Sequence, residues 1–133
     1  MVKFQEIIRN LKSKTEEEEG KGCLVWTGAR DRYKPGVAAY GKVLNPFRKL
    51  DNQPQFIRTH KLMFLAMNKK SYLENGTGDA QYDVSHLCHN TLCINYHHLS
   101  REPHLVNNSR KECKTQGHCL GHDIFPACVF EGK

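Results

Sequence analysis

The stretch SHLCHNTLCINYHHL, residues 85–99, contains two cysteines and four histidines in fifteen positions. Thiolates and neutral imidazoles are the side chains that bind zinc, and four of them close a structural zinc site. Within the stretch, Cys88, Cys93 and His98 follow one another with four residues between neighbours. The stretch therefore predicts a metal-bound knuckle that takes its fourth ligand from elsewhere in the chain.

A second cluster, after residue 110, has four ligands of its own. They are Cys113, Cys119, His122 and Cys128. The only other cysteine is Cys23, and its return to the knuckle would place all six cysteines in two Cys3His zinc sites. Spacing alone leaves two choices open, which are His97 in place of His98 and His118 in place of Cys119. Three disulfides in a secreted domain, or one zinc with spare thiols, are the competing interpretations.

The composition agrees with a metal-stabilised domain that has a small apolar core. Of the 133 residues, 38% are hydrophobic, and structural zinc can supply about 10–16 kcal/mol of apparent binding free energy to such a fold. The net charge of +6 favours a polyanionic partner such as nucleic acid. The sequence shows neither a signal peptide nor a membrane span. We therefore expect an intracellular protein, nuclear in a eukaryotic host, with reduced cysteines.

Hydrophobic periodicity predicts a small α+β domain with an antiparallel sheet. The predicted elements are a helix over 3–13, a solvated acidic linker over 15–22, a sheet built from 23–28, 37–44 and 55–58, a buried helix over 58–70, a loop over 71–83 and a short helix after Pro103.

Zinc leaves one histidine and one pair of asparagines suited to chemistry. His86 lies just upstream of the knuckle, whose backbone can accept a hydrogen bond from one ring nitrogen, so that the other can take a proton from water. Asn107 and Asn108 follow Pro103 on the predicted helix, and an amide oxygen is a suitable ligand for Mg²⁺. Chemistry alone favours a phosphodiester-hydrolysing site and a binding-only zinc domain about equally.

Taken together, the pattern SHLCHNTLC…HHL…VNNSR…C resembles the His-Cys box of group I intron homing endonucleases, a branch of the HNH or His-Me finger (ββα-metal) nucleases. The upstream GCLVWTGAR…AYGKV…RTHK is similar to the pattern that precedes this box in short phage-type HNH nucleases. The resemblance spans roughly residues 22 to 128. It implies a ββα-metal active-site motif with two structural zinc ions and one catalytic Mg²⁺.

Carried over by position, the resemblance implies that His86 is the general base that activates the attacking water, and that Asn107 binds the Mg²⁺. It implies zinc ligation by Cys23, Cys88, Cys93 and His98, and by Cys113, Cys119, His122 and Cys128. The Mg²⁺ would contact a nonbridging phosphate oxygen and the leaving 3′ oxygen, and the products would carry 5′ phosphate and 3′ hydroxyl ends.

The resemblance also implies that the sheet at about residues 36–58 enters the major groove of double-stranded DNA. An arginine of this sheet would steady the phosphate, and both Arg58 and Arg48 are candidates. The side chains predicted to contact DNA are Lys42, Asn45, Arg48, Lys49, Asn52, Gln53, Gln55 and Arg58.

The sequence thus predicts a single domain over residues 1–133, with an N-terminal helix and linker (1–21), a DNA-reading sheet and helix (22–69) and the His-Cys box (84–128). The predicted function is that of a Mg²⁺-dependent DNA endonuclease. The alternative is a noncatalytic zinc module on the same scaffold, which binds duplex DNA with strong salt dependence and does not cut it. The family's dimerising C-terminal arm has no counterpart before Lys133, so both a homodimer and a monomer that nicks one strand stay open.

Overall fold

Three α-helices and six strands form the framework of the residues that the computed structural model describes, which are 3–31, 39–50, 53–72 and 81–130. In chain order they are α1 (Phe4–Lys12), β1 (Thr15–Glu17), β2 (Leu24–Trp26), β3 (Lys42–Leu44), β4 (Phe56–Arg58), α2 (Thr59–Met67), β5 (Tyr82–His86), the 3₁₀ turn Tyr96–His98, β6 (Leu99–Pro103) and α3 (His104–Gln116). The predicted α+β class is confirmed. The strands form three antiparallel pairs, β1–β2, β3–β4 and β5–β6, and not the one sheet that the sequence predicted.

The acidic segment after α1 is the first correction to the predicted elements. The prediction of a solvated linker over 15–22 is wrong at Thr15–Glu17, because these residues form β1 and pair with β2. Glu16 and Glu17 are exposed, as their charge requires, but their backbone groups still complete the ladder. Charge patterning reports where side chains are solvated, and it says little about backbone pairing at the edge of a sheet.

The predicted sheet divides between two parts of the fold. β3 and β4 pair antiparallel, with Lys42 opposite Arg58. β2 does not join them and pairs with β1. A single bridge between Val25 and Cys93 then attaches β2 to the knuckle. Of the predicted loop over 71–83, residues 73–80 lie outside the described part, and Tyr82 already begins β5.

Trp26 is the packing centre of the β2 region. Its side chain is 2% exposed, and its indole Nε1–H donates to the carbonyl of Ala29 at 2.8 Å. Two glycines make room for the ring: a Cβ built on Gly28 would lie 2.6 Å from Trp26 Cζ2, and one on Gly41 would lie 2.6 Å from Trp26 Cδ1. The glycines of the WTG and YG motifs are therefore explained by close approach to one indole.

The apolar core lies between α1, α2, the strands that precede α2 and the segment 94–99. Its buried members are Ile7, Leu11, Trp26, Phe47, Ile57, Leu62, Met63, Leu65, Ala66, Ile94 and Leu99. A large aliphatic or aromatic side chain contributes about 1.5–3 kcal/mol when it is buried, so this core is modest for a chain of this length. A second buried cluster consists of Cys23, Cys88 and Cys93, which agrees with stabilisation by metal.

The β5–β6 pair and α3 form the unit that carries the predicted chemistry. The knuckle connects β5 to β6, and α3 begins directly after β6. Glu102 of β6 and Arg110 of α3 form a buried ion pair, with Arg110 Nη2 donating to Glu102 Oε2 at 2.8 Å. This contact fixes the helix against the strands. In the described part of the chain, no helix has the length and apolar character to cross a membrane.

Candidate metal and catalytic site

The first Cys3His cluster joins Cys23 to three residues that are far from it in the sequence. Cys23 precedes β2, Cys88 and Cys93 lie in the knuckle, and His98 ends the 3₁₀ turn. All four are buried, and their ligand atoms lie within 4.8 Å of one another. His98 Nδ1 is 3.6 Å from the Sγ atoms of Cys23 and Cys93. The structure thus selects His98 as the imidazole of this cluster and leaves His97 exposed.

The electrostatics of the first cluster favour a bound cation. Hydrogen bonds from Cys23 and Cys88 hold the pKa of Cys93 well below its ordinary value, while contacts with Cys88 and Cys93 raise the pKa of Cys23. Three sulfurs this close cannot all ionise unless a positive charge lies among them. Because zinc binds the thiolate form, the donor set fits structural zinc.

The second Cys3His cluster lies at the end of α3 and in the segment that follows. Cys113, Cys119, His122 and Cys128 supply ligand atoms within 4.8 Å of one another. His122 Nε2 is 3.3 Å from Cys113 Sγ and 3.4 Å from Cys128 Sγ. Backbone amides donate to the sulfurs of Cys113 and Cys119. The exposed His118 takes no part, so the two clusters support two structural zinc ions.

His86 is the last residue of β5 and is buried beside the knuckle. Its ring lies 4.3 Å from that of His60 and 6.0 Å from that of Tyr40, measured between centroids. Burial lowers the pKa of His86 to about 4, although the charge and backbone of Cys93 oppose this shift. The imidazole is therefore neutral at pH 7, and its Nε2 is a buried nitrogen with no hydrogen-bond partner among the described residues.

An open cavity of about 550 Å³ lies between β4, the start of α2, β5, β6 and α3. The described lining residues include four cationic side chains, from Arg58, Lys61, Arg101 and Lys111. A concave surface with this charge suits a polyanion such as a phosphodiester backbone.

Asn107, the predicted Mg²⁺ ligand, lines this cavity from α3. Its Nδ2–H donates to Asp83 Oδ2 at 3.0 Å, which fixes the orientation of the amide. The amide oxygen takes no hydrogen bond within the described ranges. An oxygen held in this way fits a hard cation such as Mg²⁺. His86 is not among the described lining residues, but His60, which it contacts, is one of them.

The two candidate arginines occupy different places. Arg58 lines the cavity, with its Cζ 4.0 Å from the ring centroid of Tyr40 and its Nε 3.2 Å from Asp31 Oδ2. Arg48 instead donates to the backbone carbonyl of Asn45 at 3.2 Å and is not among the cavity-lining residues that the structure describes. The geometry therefore favours Arg58 over Arg48 as the side chain that meets a phosphate in the cavity.

The predicted DNA-reading side chains require one correction. Asn45 is fully buried, and its side chain donates to Pro54 O at 3.0 Å and accepts from Phe47 N at 3.0 Å. It stabilises the turn after β3, so the prediction that it reads base edges is wrong. The others divide as follows: Arg48, Lys49, Gln55 and Arg58 are exposed, Lys42 and Gln53 are partly buried, and Asn52 lies outside the described residues.

Three further polar residues of this region were not assigned from the sequence. They are His60, Asp83 and His104. His60 is 6% exposed, and burial lowers its pKa well below the ordinary value. The signal for His104 was available, because it precedes Asn107 by one helical turn. The signal for Asp83 was not, because its contact with α3 depends on how the helix packs on β5.

The comparisons with known proteins give one match. A family model described as the zinc-binding loop region of homing endonuclease matches residues 23–128, a span that begins at Cys23 and ends at Cys128. The search of curated proteins and the search of solved structures each found no match.

Proposed function

Since the chain belongs to the family of homing-endonuclease zinc-binding loop regions, we propose that it is a Mg²⁺-dependent endonuclease of double-stranded DNA. It hydrolyses phosphodiester bonds and leaves 5′ phosphate and 3′ hydroxyl ends. The observations that carry this proposal are a neutral His86 whose Nε2 has no partner among the described residues, its contact with His60, and the cation-lined cavity that His60 and Asn107 both line. A buried nitrogen without a partner costs stability, and a catalytic role is one explanation for its presence.

His86 acts as the general base. The low pKa of its imidazole keeps it neutral at pH 7, so its free nitrogen can accept a proton from the attacking water. The knuckle holds the ring in place through the backbone at Cys93, and His60 packs against it. The first zinc cluster therefore supports the base, because Cys88 and Cys93 are part of the same knuckle.

Asn107 holds the Mg²⁺ through its amide oxygen. When bound, this ion supplies charge stabilisation for the phosphate and the leaving 3′ oxygen. Arg58 contacts the scissile phosphate, since it lines the cavity and is already held by Tyr40 and Asp31. Lys61 and Lys111 attract the flanking backbone, so binding weakens steeply as salt is raised.

Cleavage of supercoiled plasmid tests the proposal. The zinc-loaded protein is expected to nick or linearise plasmid with Mg²⁺ and to leave it intact when EDTA binds the Mg²⁺. The exposure to EDTA is kept short, so that the assay ends before loss of zinc unfolds the protein. His86→Ala and Asn107→Ala are expected to lower the cleavage rate by at least about 100-fold, which is typical of removing a general base or a metal ligand. The matched control is His97→Ala, which removes an exposed neighbouring histidine that lies in neither Cys3His cluster.

The outcomes separate the candidate functions. Products that ligase reseals without a kinase confirm 5′ phosphate and 3′ hydroxyl ends. Linear product at early times indicates a dimer, and nicked product alone indicates a monomer. Duplex binding by a folded, zinc-loaded protein that never cuts in the presence of Mg²⁺ contradicts the proposal and identifies a binding module.

A further inference from the structure

The cation-lined cavity contains one carboxylate among its described lining residues, that of Asp83. This side chain is 27% exposed, so it can be reached from the cavity. It lies on β5, three residues before His86 and directly opposite Glu102 of β6. It is the one anion beside four cationic side chains in the described lining, and of these Arg58 is already paired with Asp31.

The contacts of Asp83 leave one of its oxygens available. Its Oδ2 accepts a hydrogen bond from Asn107 Nδ2 at 3.0 Å and lies 2.6 Å from His104 Nδ1. Because an ionised carboxylate can only accept, His104 carries its proton on Nδ1 in this contact. Both bonds end on the same oxygen, and Asp83 Oδ1 takes none in the part of the chain that the structure describes. His104 and Asn107, one helical turn apart on α3, therefore hold the carboxylate from one side.

We propose that Asp83 is a second protein ligand of the catalytic Mg²⁺, beside Asn107, with His104 as the residue that positions it. This inference rests on the proposed function, since it names a further ligand of the same ion. Mg²⁺ is usually bound through one or two carboxylates together with substrate phosphates. A lone neutral amide among four cationic side chains would attract a divalent cation poorly, and Asp83 supplies the missing negative charge.

Affinity for Mn²⁺, followed by electron paramagnetic resonance on the zinc-loaded protein, tests this assignment without reference to cleavage. Four proteins are compared: the wild type, Asn107→Ala, Asp83→Asn and the control Glu112→Gln. Asp83→Asn removes the charge and keeps an acceptor for His104. Glu112→Gln removes one negative charge from an exposed side chain of α3 that bonds only to Gln116 among the described residues.

We expect Asp83→Asn to raise the Mn²⁺ dissociation constant by about 10- to 100-fold, the range seen when groups around a metal site are removed. Asn107→Ala should weaken binding as well, and Glu112→Gln should leave it within twofold of the wild type. Zinc content and the thermal unfolding midpoint are measured for each variant. If Asp83→Asn does not fold, Asp83→Ser takes its place with the same expectation.

The results distinguish failure of this inference from failure of the proposed function. Binding that is lost in Asn107→Ala and unchanged in Asp83→Asn overturns the role of Asp83 alone, and leaves it as a residue that orients Asn107 or stabilises the start of α3. Binding that is unchanged in both variants overturns the magnesium site itself. A lower cleavage rate in Asp83→Asn with unaltered Mn²⁺ affinity also overturns the ligand assignment.

Discussion

Replacing Arg110 by methionine should destabilise the fold strongly, because it leaves the carboxylate of Glu102 buried and unpaired. Glu102 is fully buried, and Arg110 is 2% exposed. Burial alone would raise the pKa of Glu102, but the hydrogen bonds and the charge of Arg110 outweigh it, and the pKa is lowered. Arg110 therefore stabilises the charged form of this buried carboxylate.

The expected magnitude follows from what the substitution removes. Arg110 Nη2 donates at 2.8 Å both to Glu102 Oε2 and to Pro126 O, and Nη1 lies 3.2 Å from Cys128 Sγ. Loss of one partner of a buried ion pair costs about 3–5 kcal/mol. For a domain whose whole stability is about 5–15 kcal/mol, this loss is large.

Urea unfolding of the zinc-loaded protein at pH 7.5 measures the effect. Arg110→Met combined with Glu102→Gln should recover at least about 1 kcal/mol relative to Arg110→Met alone, because the double variant no longer buries an unpaired charge. The control Lys114→Met, on the exposed side of α3, should change the free energy of unfolding by less than about 0.5 kcal/mol. A loss below about 1 kcal/mol for Arg110→Met, or a double variant no more stable than the single one, would refute the reasoning.

Three other predictions concern the zinc clusters, the core and pH. A limiting amount of chelator should remove zinc from the second cluster first, because Cys119 and Cys128 are partly exposed while the cysteines of the first cluster are buried. Zinc release followed over time should therefore show a fast phase, and Cys119→Ser should abolish it. Gly41→Ala should lower the free energy of unfolding by about 1–3 kcal/mol, measured by thermal denaturation, since its Cβ would overlap Trp26 and Thr59. Burial lowers the pKa of His60 in the folded state, so below about pH 6.5 the unfolded chain binds more protons than the folded one. The free energy of unfolding therefore falls with pH in this range, by up to about 1.4 kcal/mol per pH unit. Urea unfolding at pH 7.5 and 5.5 should show a smaller loss for His60→Phe than for the wild type, and equal losses would contradict the assignment.

The sequence predicted the metal clusters well because ligand identity is a local property. Cys88, Cys93 and His98 are close in the chain, and thiolates and imidazoles at such spacing are typical zinc ligands. The count of cysteines then predicted that Cys23 completes the first cluster. In the structure its Sγ lies 3.6 Å from His98 Nδ1. The choice between His97 and His98 could not be made from spacing, because adjacent histidines are separated only by the direction in which each side chain points.

The strand pairing was harder to predict, for a reason visible at β1. Its sequence, Thr15–Glu17, has neither alternation nor apolar side chains, and only the neighbouring β2 makes it a strand. Backbone pairing of a short edge strand is decided by what lies beside it and not by its own side chains. The burial of Asn45 has the same origin, because its amide satisfies backbone groups that come together only when the turn after β3 closes.

By itself the sequence determined that there are two Cys/His clusters, the α+β class, and the family to which the chain belongs, since all three depend on residue types at fixed spacings. The choice of His98 over His97, and of Cys119 over His118, is seen in the structure. Only the tertiary structure decided which groups share the cavity. Asp83 and Asn107 are 24 residues apart, and their hydrogen bond exists because α3 packs against β5. Placing side chains from separate elements within 3 Å requires the packing of the elements themselves, and that packing is set by the whole core and both metal clusters together.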